Sequence, residues 1–342
     1  MPLPSEREAI ALVVDRLSEL VGRRPTRVAP DGKGADTRIA FPGHTFTAVW
    51  RAGSNVAAVA SGLRALESSG QRAIPLLAVP HMGEAGRALC EAAGVAWLDL
   101  SGNACVVAPG LRVVIEGKPN LFKRVGRPNT AFAPKSARIA RWLLMHPTEP
   151  TTQRDLAAAT GIDAGFTSRI VHRLIDDHLL ERAPDGRVFA PRPALLLDAW
   201  AELYRFDRHR IRKGVVAARS GTELADRLAE GLVRSGADHA FTGLVAAWQY
   251  TRFAAYRVAT VYLPAGAPAT LLSDLGVREG EQGANTWLVV PNDPGVLLGV
   301  TDVDGLACVH PVQAWLDLRA HPERAKEASE RLRAETMAVI DA

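Results

Sequence analysis

Gly165, Ser168, Arg169 and His172 form the most chemically pointed set in the 342-residue chain. At 100° per residue they share one side of a helix with Asp176, with Arg173 at the edge. Phe166, Ile170, Val171, Leu174 and Ile175 share the other side. A helix that only fills a core has no use for a small residue, a hydroxyl, an arginine and a histidine aligned from its first turn. Recognition of base edges in the major groove of duplex DNA does need them. Glycine permits close approach, serine can bond either strand, and arginine can fork onto guanine. The competing reading is a solvated basic face of a plain helical subdomain, and for His172 an idle surface position is as good an account as a base contact.

The surrounding sequence predicts how that helix is held. Asp163 can cap it, and it runs to about residue 178. Before it, Thr152-Gln153-Arg154-Asp155 is a capping-box pattern that opens a shorter helix with Leu156 and Ala157 inward. That helix ends at Thr160-Gly161, where glycine can take the left-handed conformation, and Ile162 fills the turn. Further upstream SARIARWLLM, residues 136–145, places Ile139, Leu143 and neighbouring Trp142 on one face. Downstream, LLERAPDGRVFAP reads as two short strands around Pro184-Asp185-Gly186, with Arg187 near the hairpin tip. In this arrangement Ser168, Arg169, His172 and Arg173 are the expected base contacts. Gly165 permits the approach, Arg138, Thr152 and Gln153 face phosphates, and Arg187 enters the minor groove.

Charge supports the same segment. The whole chain carries a net charge of only +4. Between Lys118 and Arg192, however, bases outnumber acids by thirteen to seven, so the positive excess is concentrated there. Hydrophobic residues make up 47% and charged residues 23%, the balance of an ordinary globular chain. No apolar run is long enough to cross a membrane, and acids precede the first apolar stretch, against a secretory leader. The three cysteines, Cys90, Cys105 and Cys308, stand far apart without a CxxC or a Cys/His cluster. A reducing cytoplasm is therefore expected, with no metal and no cofactor.

The expected architecture is multi-domain α/β, with a central helical module between two α/β portions. Residues 1–117 read as a mixed α/β domain, with helices near 6–21, 55–69 and 83–93. Its strands fall at 37–41, 45–51, IPLLAVP, VAWLDL, ACVVA and LRVVIEG. Residues 118–134, with three prolines and one glycine, read as a linker. The DNA-binding module spans 135–192. Residues 193–342 read as a long helix over 193–218, then strands near 256–263, 286–291 and 296–300, then a charged helical tail from 311. Asp99-Leu100-Ser101-Gly102-Asn103 is a polar turn, most simply structural, although a ligand role is an alternative. Asn292-Asp293-Pro294-Gly295 and Asp302-Val303-Asp304-Gly305 are turn signals that need no metal. Trp248, Tyr250, Phe253 and Tyr256 suggest core packing.

The stretch TTQRDLAAATGIDAGFTSRIVHRLIDDHLLERAPDGRV resembles the MarR/IclR-type winged helix-turn-helix of bacterial transcription regulators. More loosely, GVAWLDLSGNACVVAPGLRVVIEGK and the segments TGLVAAWQYT, GANTWLVVPND and CVHPVQAWLDL resemble the AbiEi-like type IV antitoxins and related regulators. In those antitoxins the winged helix is N-terminal, whereas here a further domain precedes it. The N-terminal strand order resembles a restriction-endonuclease-like fold. That resemblance implies a Mg²⁺ site built from an Asp and an (Asp/Glu)-x-Lys strand. Asp36 could be the first acid, but Val49 stands where the second belongs and Arg51 where the lysine belongs, so a degenerate, non-catalytic domain is expected. The chain is expected to be a double-stranded-DNA-binding regulator and a homodimer, with a small-molecule effector or a toxin protein as further partners. The alternatives are an antitoxin acting against a nucleotidyltransferase toxin and a Mg-dependent nuclease.

Overall fold

The computed structural model describes residues 3–30, 36–67, 73–122, 130–322 and 324–341. The chain divides into two compact units, Met1–Arg127 and Pro128–Ala342. It is a multi-domain α/β protein with a winged helix in its middle.

The first unit contains α1 (Glu6–Val21), β1 (Arg27–Pro30), β2 (Asp36–Phe41), β3 (His44–Trp50), α2 (Val56–Glu67), β4 (Ile74–Val79), α3 (Glu84–Ala92), β5 (Ala96–Asp99), β6 (Ala104–Ala108) and β7 (Leu111–Ile115). The strands form one sheet in chain order. β1 to β3 are an antiparallel meander, β3, β4 and β5 run parallel through α2 and α3, and β5 to β7 return antiparallel. Two apolar clusters lie on this sheet. Ala9, Val13 and Leu17 of α1 join Phe46, Leu76 and Leu98 in one, while Val59 and Leu63 of α2 join Val49, Leu77 and Trp97 in the other. A strand covered on both faces needs apolar side chains at every position, which is why β4 reads as an unbroken run instead of an alternation.

The Asp99 turn is a structural pin. Its buried carboxylate accepts from the Met82 N–H at 2.9 Å, the Asn103 N–H at 2.8 Å and the Asn103 Nδ2 at 2.8 Å. Asn103 in turn accepts from the Lys118 N–H at 2.8 Å. Lys118, the first residue of the expected linker, is thereby tied into this unit. Residues 123–129 of that linker lie outside the described residues.

The second unit opens with α4 (Ala137–Met145), α5 (Gln153–Thr160), α6 (Ala164–Asp176), β8 (Glu181–Arg182) and β9 (Val188–Phe189). It continues with α7 (Pro193–Leu203), β10 (Arg210–Val215), α8 (Gly221–Ser235), β11 (Ala240–Thr242), α9 (Gly243–Thr251) and β12 (Ala259–Tyr262). It closes with α10 (Ala269–Asp274), β13 (Arg278–Glu279), β14 (Thr286–Val290), β15 (Thr301–Val303), β16 (Leu306–Cys308), α11 (Pro311–Leu318), α12 (Ala325–Thr336) and α13 (Ala338–Asp341). Its sheet runs β13-β10-β14-β12-β11-β16-β15, with β12 parallel to β14 and β11 parallel to β16.

Two expectations change here. The helix expected over 193–218 stops at Leu203, and Arg210–Val215 is a strand paired with both β13 and β14. Its exposure alternates, with Arg210 and Arg212 outward and Ile211, Lys213 and Val215 half-buried, a two-residue period that fits a strand and not a helix. The strand expected over 296–300 is instead a short 3-10 turn, Pro294–Leu297, capped by Asp293, whose carboxylate accepts from the Gly295 N–H. The strands follow it, joined by Asp304-Gly305, both at positive φ.

A buried polar network lies in the second unit. The Asp317 carboxylate is fully buried and accepts from Tyr204 at 2.5 Å, Thr242 at 2.5 Å, Gln313 at 2.8 Å and Tyr262 at 3.0 Å. Burial outweighs those four donors and pushes the Asp317 pKa up to about 6. Beside it, His209 Nδ1 accepts from the Asn292 N–H, so Nε2 carries the proton and faces Tyr204 at 3.0 Å. Burial drives the His209 pKa down to about 4, which keeps it neutral at physiological pH.

Candidate nucleic-acid interface

The module that could meet DNA is assembled from caps and an apolar centre. Thr152 caps α5, its hydroxyl accepting from the Asp155 N–H at 3.1 Å and donating to the Asp155 carboxylate at 2.7 Å. Gly161 takes φ 65° and ends that helix, and Ile162 is buried in the turn. The Asp163 carboxylate then accepts from the Phe166 N–H at 2.8 Å and starts α6. Such a cap contributes about 1 kcal/mol. Along α6, Ile170, Val171 and Leu174 are buried, and full burial of such a side chain is worth about 2 kcal/mol each. Thr167, which the periodicity did not single out, is also buried.

The opposite face of α6 carries the expected contacts. Gly165, Arg169, His172 and Arg173 are exposed and Ser168 is half-buried. His172 Nδ1 stands 2.7 Å from the Ser168 carbonyl oxygen, so it donates there and leaves Nε2 pointing away as an acceptor in the neutral ring. Arg173 pairs with Asp177 at 3.2 Å, one turn on. The Arg169 guanidinium lies 5.4 Å from the Phe166 ring centroid, and the Lys135 ammonium lies 5.8 Å from the same ring. Phe166 is therefore not a plain core residue as the periodicity suggested. It is half-buried and steers two cations at the start of α6. Lys135, missed by sequence reasoning, joins this face, and the signal available was its place in the basic run just before α4.

The wing is the antiparallel pair of β8 and β9, extended by a bridge from Thr151 to Val188. At its tip Arg187 is half-exposed and paired with Asp185 at 2.6 Å. The Arg187 N–H and then its guanidinium hold the Asp185 carboxyl below the usual carboxylate range. The wing therefore presents an ion pair, not a bare cation.

Two expected phosphate contacts are placed otherwise. Arg138 forms a two-pronged pair with Asp293, Nε to Oδ1 at 2.7 Å and Nη2 to Oδ2 at 2.8 Å, and its Nη1 donates to the Thr160 carbonyl at 3.1 Å. All three contacts are internal. Arg138 fastens α4 to the turn before Pro294 and caps the end of α5, which commits three of its five N–H donors inside the fold. The Thr152 hydroxyl is likewise committed to its cap. Gln153 sits half-buried in the first turn of α5. On α4, Trp142 stacks on His146 at 4.2 Å and Arg141 takes the buried position.

In the first unit, the register sets Asp36 opposite Val49, and Val49 is fully buried in apolar company. Asp36's side chain lies outside the described residues. Arg51 donates to the Trp50 carbonyl at 2.9 Å. Among the described residues no cluster of three His, Cys, Asp or Glu side chains could hold a metal ion, and no helix is long and apolar enough to cross a membrane.

Residues 132–188, from just before α4 through the first residue of β9, match the profile of the MarR family. The matched segment is a winged helix-turn-helix of the kind carried by DNA-binding transcription regulators. No curated protein and no solved structure matches the chain.

Proposed function

We propose that the protein is a sequence-specific double-stranded-DNA-binding transcription regulator without catalytic activity, working in the cytoplasm as a homodimer. The observation that carries this reading is α6, which buries one face and leaves Gly165, Ser168, Arg169, His172 and Arg173 along the other. Arg169 is the principal base reader. Its guanidinium is exposed, and the Phe166 ring orients it. His172 Nε2 serves as an acceptor for an exocyclic amine, and Lys135 adds a phosphate contact near the first turn. A twofold pair of such modules would read half-sites about one helical turn apart. In the first unit the order α1-β1-β2-β3-α2-β4 and Val49 opposite Asp36 support a nuclease-like fold that has lost its second carboxylate.

Genomic fragments selected by the full chain supply the test duplex. Arg169→Ala is expected to weaken binding to it by about 1–3 kcal/mol and to relax preference at one base position. An affinity and a base preference that both survive the substitution would remove α6 as the reading helix.

A further inference from the structure

β7 is the last strand of the first unit's sheet, and among the described residues no strand pairs with its outer side. A free edge of this kind presents a row of unpaired N–H and C=O groups, and folds ordinarily blunt it with a short strand, a proline or charges. The opposite edge follows that rule, since β1 has four residues, begins at Arg27 and ends at Pro30. β7 does not. Leu111–Ile115 reads LRVVI, five residues without proline and with a single charge. Arg112 and Val114 share one face and are exposed, Val114 to 53%. Leu111 and Val113 share the other and pack against the cluster that holds α1. On the exposed face, half-buried Cys105 of β6 stands opposite Val114, and Val107, itself 55% exposed, stands opposite Arg112.

The sequence here is complementary to its own reverse. Because side chains alternate between faces, an antiparallel copy keeps its core face level with this one only if some residue lies opposite its own copy. Centring the pairing on Arg112 or Glu116 sets like charges face to face. Centring it on Val113 or Ile115 sets a charge against Val114. Centring it on Val114 sets Arg112 opposite Glu116 of the second copy, twice over, with Val113 opposite Ile115 on the core side. Both charges are free to take these roles. Arg112 makes no ion pair among the described residues, and Glu116, 55% exposed, reaches Arg87 only at 4.0 Å.

We propose that β7 is an interface between two copies of this chain, paired antiparallel across a twofold axis at Val114. The two seven-stranded sheets then join into one. The contact belongs to the first unit and forms without DNA. It gives the proposed homodimer its contact surface and rests on that pairing, not on base recognition. Val114 of each copy covers the other, and the two Arg112–Glu116 pairs fix the register.

The test uses the full chain without DNA. In sedimentation equilibrium the chain is expected to dimerise, and Arg112→Glu is expected to raise the dissociation constant about tenfold. Combining Arg112→Glu with Glu116→Arg is expected to restore most of the affinity. A cross-link reads the register. In a Cys105→Ser background, which prevents a bridge within the β6–β7 hairpin, Val114→Cys is expected to be joined to its copy by a two-carbon bis-methanethiosulfonate. Arg112→Cys in the same background is expected not to be, since that position and its copy lie about 13 Å apart along the strands. A chain that is monomeric at every concentration removes the homodimer reading together with this contact. A dimer that keeps its affinity in Arg112→Glu, gains nothing from the charge swap, or fails to link through Val114→Cys overturns the β7 contact alone.

Discussion

Asp185 sits in the wing where a DNA-binding surface would least tolerate it. Its carboxylate is about half exposed and only 2.6 Å from the Arg187 guanidinium. A phosphate approaching the wing meets a neutralised pair and must either displace Asp185 or be repelled by it. Asp185→Asn removes that competitor and frees the cation. Tighter DNA binding is expected, with a salt dependence steeper by about one counter-ion in a plot of log K against log salt. A filter-binding or anisotropy titration between roughly 50 and 200 mM salt measures both. Weaker binding or an unchanged slope would place the wing tip away from the phosphates. Sequence could nominate Arg187 for this role but not foresee its partner, since pairing two residues apart across a tight turn depends on backbone geometry. The same limit shows at α4. Periodicity there pointed Trp142 inward, whereas Arg141 is buried and Trp142 stacks on His146. Adjacent positions differ by only 100°, and the neighbours that decide between them, Gln313 and Trp200, lie far off in sequence.

At the scale of elements, the helices of the winged module were the most legible because each is set by local chemistry. Thr152, Gly161 and Asp163 start or stop helices through bonds to residues within four positions. β10 was not legible in this way. Its RIRKGV sequence follows a strongly helical stretch without a Gly or Pro break, and what makes it a strand is pairing with β13 and β14, about seventy residues later. The pairing of Thr151 with Val188 was hidden for the same reason. The local origin of α6 gives a direct prediction. Asp163→Ala leaves the Phe166 N–H without its acceptor and is expected to cost about 1 kcal/mol. Confined to the first turn, that cost appears as roughly fivefold faster hydrogen exchange at the Phe166 amide, and Asp163→Asn is expected to restore most of the protection. Exchange unchanged in Asp163→Ala would mean that packing alone holds the start of the helix.

At the scale of the whole second unit, four buried titratable groups oppose one another. Burial lowers the pKa values of His209, His310 and His321 to about 4 from 6.5, and raises that of Asp317 to about 6 from 3.8. Between pH 4 and 6.5 each histidine is protonated in the unfolded chain but neutral in the folded one, so each makes stability rise with pH. Asp317 keeps its proton in the folded chain up to about pH 6 and so makes stability fall as pH rises over its own window. Each difference of one bound proton is worth about 1.4 kcal/mol per pH unit. Three histidines against one carboxylate leave two protons near pH 5, an upper slope of roughly 2–3 kcal/mol per pH unit in favour of higher pH. Urea unfolding at a series of pH values from 4.5 to about 7 measures that slope. His209→Gln is expected to flatten it by one proton, and Asp317→Asn to steepen it by one. A stability that stays level or falls between pH 5 and about 6.5 would mean that the histidines are not held neutral by their surroundings. The network around Asp317 would then be organised by a charge that the present contacts do not include.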